Sequence, residues 1–159
     1  MVYLTTIVRI VNAPLHPFDY AAAVEEMHAA VAKYHEAAAG AIDLGPVLHD
    51  LDRLAADLGA WRVAMDARVA TAPGDHDLRR GTNAALRRIA RLLVPLNYAK
   101  GERFDHDPAL KFGTLPRLEP AASLPQAPAE IKPFAKVGLR REINKVRATL
   151  RAVARELKR

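Results

Sequence analysis

Core-facing positions recur every three to four residues in four long stretches of the chain, which is the spacing of one face of an α-helix. They are Tyr20, Val24, Met27, Val31 and Tyr34; Leu44, Val47, Leu48, Leu51, Leu54, Ala55, Leu58, Trp61, Met65 and Val69; Leu78, Thr82, Ala85, Leu86, Ile89, Leu92, Leu93 and Leu96; and Leu139, Ile143, Val146, Leu150, Val153 and Leu157. We expect these faces to pack together in a single all-α domain spanning residues 1–159. The predicted fold is an antiparallel four-helix bundle with a long proline-rich arm between its third and fourth helices.

Side chains that can cap a helix precede the first three predicted helices. Asp19, Asp43 and Asp75 each stand where a carboxylate can accept hydrogen bonds from the unpaired amides of a first helical turn. Pro46 is compatible with the first turn of the second helix, because its missing amide would have no partner there. We therefore expect these helices to begin at the three aspartates.

Two segments lack helical spacing. Residues 2–11 are rich in β-branched side chains, and this pattern alone favours a strand, although no second strand is available to pair with it. Residues 97–135 contain six of the eleven prolines and show no helical period. Loops beyond about 12–15 residues are uncommon in compact domains and often carry function. We predict an irregular arm that lies against another surface.

The most distinctive segment is residues 12–20, with the sequence Asn-Ala-Pro-Leu-His-Pro-Phe-Asp-Tyr. Its two prolines fix their own φ angles and push the preceding residues, Ala13 and His16, toward extended geometry. A helix therefore cannot pass through this segment. We predict a rigid bend, called the elbow below, that leads into the first of the four helices. Its key residues are Pro14, Pro17, Phe18, Asp19 and Tyr20.

The composition is that of a globular chain, since 50% of its residues are hydrophobic. No apolar run reaches the roughly 20 residues that a transmembrane helix needs. The apolar start of the chain is interrupted by Arg9 and lacks the basic leader of a signal peptide, so the localisation stays open. Cysteine is absent, which excludes disulfides, thiolate zinc ligands and cysteine nucleophiles.

The net charge of +6 is concentrated at the end of the chain. Residues 136–159 hold nine Lys or Arg and two Glu, whereas the other residues hold 15 basic and 16 acidic side chains. An alternative hypothesis is therefore a stand-alone nucleic-acid or anion-binding protein that uses Arg140, Arg141, Lys145, Arg147, Arg151 and Arg155. Because the last predicted helix has no aromatic side chain for base stacking, we favour a solvated face and no nucleic-acid partner.

The sequence contains no convincing catalytic motif. His35 and Glu36 begin the pattern of zinc proteases, but Ala39 occupies the position of the second histidine. Asp-His-Asp occurs at residues 75–77 and 105–107, and such triplets can bind metal, so a metal-dependent hydrolase is a second alternative. Helix capping and a polar loop explain the triplets more simply. We predict no catalytic and no metal-binding residue in this chain.

The elbow and the later landmarks together resemble the transferrin-receptor-like dimerisation domain, the C-terminal helical part of glutamate carboxypeptidase II-like zinc peptidases and of transferrin receptors. The family's elbow has the form Leu/Asn-Ala-x-x-x-Pro-Phe-Asp-Tyr, which residues 12–20 match. A helix with a leucine-rich face follows, like residues 44–58. The next helix opens around an asparagine before a Leu-x-x-x-x-Arg run, like Asn83 through Leu86 to Arg91. With the arm and the final helix, the resemblance covers essentially the whole chain.

This resemblance implies a non-catalytic module that pairs two copies of a larger chain. The zinc and its ligands would lie in an upstream peptidase domain, so no cofactor is expected here, and the activity would be that of a zinc-dependent carboxypeptidase, a hydrolase. Residues 1–12 would be the junction to that domain, which favours a helix over a strand. The implied partners are a second copy and the peptidase domain, in proteins that are often extracellular or membrane-anchored.

The resemblance also places the arm against the peptidase domain, near the substrate pocket. There the family has a lysine-tyrosine pair that helps to hold the terminal carboxylate of the substrate. Tyr98, Lys100 and Arg103 are the candidate contacts in this chain, which lacks an adjacent Lys-Tyr pair. For Tyr98 we favour a structural role, in which it anchors the arm to the helices.

Overall fold

The computed structural model describes residues 2–102, 104–106 and 110–159. Its helices are α1 (Val2–Asn12), α2 (Tyr20–Ala37), α3 (Gly45–Thr71), α4 (His76–Tyr98) and α5 (Lys132–Glu156), and short 3-10 helices cover Glu119–Ala121 and Leu124–Gln126. These ranges contain no strand, so the all-α prediction is confirmed. No helix within them is long and apolar enough to cross a membrane.

α1 occupies the segment in which the β-branched pattern favours a strand, so the strand interpretation is wrong and the helix implied by the resemblance is confirmed. Side chains within α1 bond to its own backbone: the Thr6 hydroxyl donates to the Val2 carbonyl at 3.0 Å, and the Asn12 amide donates to the Val8 carbonyl at 2.8 Å. A helix satisfies its own backbone groups, whereas a single strand would have no partner. None of the α1 residues is buried.

Two of the three predicted caps are confirmed. The Asp19 carboxylate accepts from the Ala22 amide at 3.0 Å, and the Asp75 carboxylate accepts from the Leu78 amide at 2.8 Å. The prediction for Asp43 is wrong, because Leu44 stands at the N-cap of α3 without a side-chain hydrogen bond. Asp43 lies one residue too early and accepts instead from the Gly45 amide.

The predicted core-facing positions meet in one main cluster. α3 packs against both α2 and α5, and α4 packs against α5. The buried helical residues of this cluster are Val24, Met27, Val31, Val47, Leu51, Leu54, Leu58, Ile89, Leu93, Leu96, Leu139, Ile143, Val146, Leu150 and Val153. Each such side chain stabilises the fold by about 1.5–3 kcal/mol relative to an exposed one, so these faces hold the helices together.

The segment between α4 and α5 contributes to the same core. It is shorter than the predicted arm, because α4 continues to Tyr98 and α5 already begins at Lys132. The buried apolar side chains among its described residues include Leu115, Leu118, Ala121 and Leu124. They recur every third residue, which is the period of a 3-10 helix, and the 3-10 turns of this segment place them on the core.

Replacement of Val47 in α3 tests this core. Val47 is fully buried, so Val47→Ala removes apolar contacts and leaves a cavity. We expect the free energy of unfolding in urea to fall by about 1.5–3 kcal/mol. The matched control is Val137→Ala in α5, where the side chain is 49% exposed and the gain in helix propensity offsets lost contacts. Equal losses in both variants would contradict the assigned core.

Candidate functional site

The elbow is held by the side chain of Asn83 in α4. The His16 amide donates to Asn83 Oδ1 at 2.8 Å, and Asn83 Nδ2 donates to the Pro14 carbonyl at 3.1 Å. The extended geometry between the two prolines leaves these backbone groups without helical partners. One amide side chain therefore supplies both the acceptor and the donor that the elbow needs. The sequence resemblance singles out Asn83 as a landmark, and the structure gives it this contact.

Arg62 of α3 holds the same segment from a second helix. Its Nη1 donates to the carbonyl of His16 at 2.9 Å and to that of Phe18 at 3.2 Å. Its Nε bonds to Asp66 one turn later at 2.8 Å, which fixes the orientation of the guanidinium group. The elbow is thus fixed to both α3 and α4.

Leu15 anchors the elbow by apolar contact. Its side chain is 2% exposed and packs in a small cluster with Val69 of α3 and Leu86 of α4. Phe18 points the other way, at 50% exposure, and its ring lies 5.9 Å from the rings of both His16 and Tyr20. Leu15 therefore packs into the protein, whereas Phe18 remains half exposed at its surface.

A groove of about 490 Å³ opens beside Phe18. We call it the elbow groove; its lining residues include Phe18, Tyr20, Leu58, Trp61 and Val63. Burial raises the pKa of the Tyr20 hydroxyl above its ordinary value of 10.0, so this side chain is neutral at physiological pH. Most of the side chains that line the groove are uncharged and apolar.

The surface of α3 next to the elbow groove is formed by small apolar side chains. We call it the outer face of α3 and define it by Ala56, Ala60, Val63, Ala64 and Ala67, all of which are exposed. Their spacing of three and four residues puts them on one side of the helix, opposite the core residues. The exposed charged residues Arg53 and Asp57 border this face, three residues before Ala56 and Ala60. Its small side chains permit close approach of another helix.

The candidate substrate contacts of the arm have different surroundings. The Tyr98 ring is 63% exposed, so it contributes little to anchoring the arm. Lys100 Nζ lies 5.6 Å from the centre of the Phe112 ring, in a cation–π contact across the segment. Arg103 lies outside the described residues. The structure therefore places Tyr98 at the surface and gives Lys100 a contact within the arm.

Arg117 anchors the start of the arm, a role that the sequence did not suggest. Its guanidinium group donates to the carbonyls of Ala99 and Gly101, and it forms ion pairs with Glu102 at 3.2 Å and Glu142 of α5 at 3.4 Å. The partners lie 15 to 25 residues away in sequence, so no local motif marks them. Further on, the Tyr34 hydroxyl donates to the carbonyl of Thr114 at 2.8 Å.

Glu102 is the acidic centre of this anchor. Lys145 Nζ bonds to its carboxylate at 2.6 Å, and this hydrogen bond together with the charge of Arg117 holds the pKa of Glu102 below its ordinary value of 4.5. The same bond raises the pKa of Lys145. Both groups are therefore charged at neutral pH and join the arm to α5.

The Asp-His-Asp triplets have ordinary structural contacts where they are described. Asp75 caps α4, and Asp77 and His76 contact Arg80 and Arg79 within the same helix. The last residue of the second triplet, residue 107, lies outside the described residues. Within the described ranges, no group of three His, Asp or Glu side chains is arranged to hold a metal ion.

The basic residues of α5 divide into paired and unpaired groups. Arg147 bonds to Asp50 of α3 at 2.6 Å, and Lys145 pairs with Glu102 and Glu142. These contacts fix two of the six side chains on which the nucleic-acid hypothesis depends. The cations that remain available for nucleic-acid binding therefore do not form one continuous basic face.

No protein-family model, curated protein or solved structure matches this chain. The likeness to the transferrin-receptor-like dimerisation domain therefore rests on the elbow and the helical landmarks of the sequence.

Replacement of Asn83 tests the elbow contact. Asn83→Ala leaves the His16 amide and the Pro14 carbonyl without their side-chain partner, so we expect the free energy of unfolding to fall by about 1–3 kcal/mol. Asn144→Ala in α5 is the control, since its side chain is exposed and the same truncation removes no intramolecular hydrogen bond from the described chain. A loss no larger for Asn83→Ala than for the control would refute the role of Asn83.

The lowered pKa of Glu102 predicts a pH dependence. Its ion pairs stabilise the fold above the ordinary carboxyl pKa of 4.5, and this stabilisation disappears as the pH falls through the lowered pKa. Glu102→Gln should therefore lower the urea midpoint slightly at neutral pH. It should leave the midpoint unchanged at an acid pH below both the ordinary and the lowered pKa of Glu102. Glu130→Gln, at an exposed position without an ion pair among the described residues, should have little effect at either pH. A Glu102→Gln effect that grows in acid would contradict this assignment.

Proposed function

We propose that this chain is a non-catalytic helical dimerisation module of a glutamate carboxypeptidase-like zinc peptidase, in which α2 to α5 form a four-helix bundle. The observation that carries the proposal is the uncovered apolar surface of α1, which the elbow joins to the rest of the fold. The sequence resemblance supplies the identity of the partner surfaces, and the contacts described above supply the reasons for assigning each surface.

α1 needs a partner surface. An isolated helix of eleven residues is marginal in water, and no residue of α1 is buried by the described part of the chain. Its apolar side chains are all at least half exposed: Val2, Tyr3, Leu4, Ile7, Val8, Ile10 and Val11. A contiguous apolar surface of this kind marks a contact with another protein surface. We assign this contact to the upstream peptidase domain.

The elbow fits the role of a junction between two domains. A flexible linker would let the domains reorient, whereas two prolines and the hydrogen bonds of Asn83 and Arg62 restrict the backbone at this point. The module would therefore hold the peptidase domain in a defined orientation. In this proposal the zinc and the hydrolytic chemistry belong to the peptidase domain, and the helical module has no activity by itself.

The outer face of α3 and the elbow groove are the candidate contact between two copies. The outer face presents small exposed side chains, the groove is lined mainly by apolar ones, and Val63 belongs to both. An isologous dimer uses the same surface on both subunits, so the small side chains of one outer face would meet those of its partner. Phe18 stands at the edge of this surface and would fill part of the partner's groove.

The arm would lie against the peptidase domain. Its second half is fixed in the helical core, and its first half presents Tyr98 at the surface. Tyr98 and Arg103 are the candidate substrate contacts, while Lys100 would first have to leave the Phe112 ring. The arrangement supports a positioning role for the arm and assigns it no chemical step.

Light scattering over a range of protein concentrations tests the pairing. We expect a dimer near twice 17.4 kDa. Ala60→Glu places a carboxylate on the outer face of α3, facing its counterpart in the dimer, and should shift the equilibrium to monomer because like charges and buried charge both oppose association. Ala148→Glu, at an exposed position of α5, is the matched control and should remain dimeric.

If the chain without substitutions is monomeric at every concentration, the proposal that it dimerises by itself is contradicted. Dissociation by both variants would contradict the assignment of the outer face of α3. Circular dichroism of each variant would show whether the helices are retained.

A further inference from the structure

A second concavity lies between α5 and the turn that joins α2 to α3, and its lining residues are distinct from those of the elbow groove. Its volume is about 450 Å³, and it is lined by Gly40, Ala41, Ile42, Asp43, Lys136, Arg140, Ile143 and Asn144. We call it the α5 pocket. Lys136, Arg140 and Asn144 are spaced four residues apart, so they lie along one face of the helix and meet at the same opening.

The polar side chains of this wall have no partner within the protein. Among the described residues, the side chains of Lys136, Arg140 and Asn144 form no hydrogen bond or ion pair. The contrast with Lys145 and Arg147 is informative, because those cations of the same helix are paired with carboxylates. The α5 pocket thus collects an ammonium group, a guanidinium group and an amide, all of which can donate hydrogen bonds.

The opposite wall contains one carboxylate, and this group is already engaged. Asp43 Oδ1 accepts from the Gly45 amide at 2.8 Å. Within the described chain, Asp43 forms no ion pair with Lys136 or Arg140, and the backbone amides of Gly40 and Ile42 have no hydrogen-bond partner. The pocket therefore carries an excess of positive charge and of donors.

We propose that the α5 pocket binds a phosphate-class oxyanion. Arg140 would bind two phosphate oxygens with its planar fork, Lys136 would supply a second positive charge, and Asn144 would donate from its amide. The volume is sufficient for a phosphate group and a small organic substituent. None of its lining residues belongs to the elbow groove or to the outer face of α3.

Titration of the full chain with inorganic phosphate, followed by two-dimensional amide NMR at constant ionic strength, tests the proposal. We expect saturable shifts at residues 40–43 and 136–144. Arg140→Gln should weaken binding about tenfold or more, since it removes a charge-assisted bidentate contact. Arg141→Gln is the matched control, because its side chain is exposed on the same helix and does not line the pocket.

A second variant makes the opposite prediction. Asp43→Asn keeps an oxygen that can accept from the Gly45 amide, and it removes the one negative charge lining the pocket. Phosphate should then bind about fivefold more tightly, the effect of removing one like charge at short range in a wet site. Because this change is a gain in binding, misfolding cannot imitate it.

A parallel titration with O-phosphoserine separates the two sources of the oxyanion. Tighter binding of the monoester would identify the phosphate group of a larger molecule as the ligand, and equal or weaker binding would identify free phosphate. Linear, unsaturable shifts would overturn the proposal. So would equal weakening by Arg140→Gln and Arg141→Gln, because that result would reflect general charge attraction.

Discussion

The position of α1 depends on the hydrogen bonds that Asn83 and Arg62 make to the elbow. The two prolines prevent a helix in this segment and leave several backbone groups that neither α1 nor α2 can satisfy. Side chains from two different helices supply the missing partners, and Leu15 adds an apolar anchor between them. The direction in which the exposed helix leaves the core is therefore fixed by contacts far away in sequence.

The segment between α4 and α5 combines two different kinds of structure. Its second half packs leucines onto the core through 3-10 turns, and Leu115 does so in the left-handed region at a φ of 52°, a conformation that non-glycine residues seldom adopt. Its first half is held through charged groups, by Arg117 and by the pair of Glu102 with Lys145. Apolar burial thus fixes one end of the arm and electrostatic contacts fix the other.

The helices and most of their buried faces were predictable because their information is local. The spacing of Val24, Met27 and Val31, or of Leu139, Ile143 and Val146, determines which side of a helix faces inward. α1 could not be assigned from its β-branched residues, since propensity does not decide a segment that lacks a strand partner. The spacing of Leu115, Leu118 and Leu124 by multiples of three carried a signal that a search for α-helical periods missed.

The contacts of the candidate sites were less accessible to sequence reasoning. Asn83 meets the elbow across 67 residues, Arg62 across 44 or more, and Lys145 meets Glu102 across 43, so only the folded chain brings them together. The sequence does not distinguish Lys136 and Arg140 from the other cations of α5, because only the fold brings the α2–α3 turn next to them. Asp43 illustrates the same limit at short range, because a shift of one residue separates a cap from a turn contact.

Hydrogen bonds hold the first half of the arm at two points, so the chain between them is a closed loop. Arg117 holds the Gly101 carbonyl on one side, and the Tyr34 hydroxyl holds Thr114 on the other. Chain entropy makes such a loop tolerant of length, since each doubling costs only about 0.6 kcal/mol. We therefore expect insertions or deletions between these two points to leave the helical core intact, since the leucines that follow are held by their own burial.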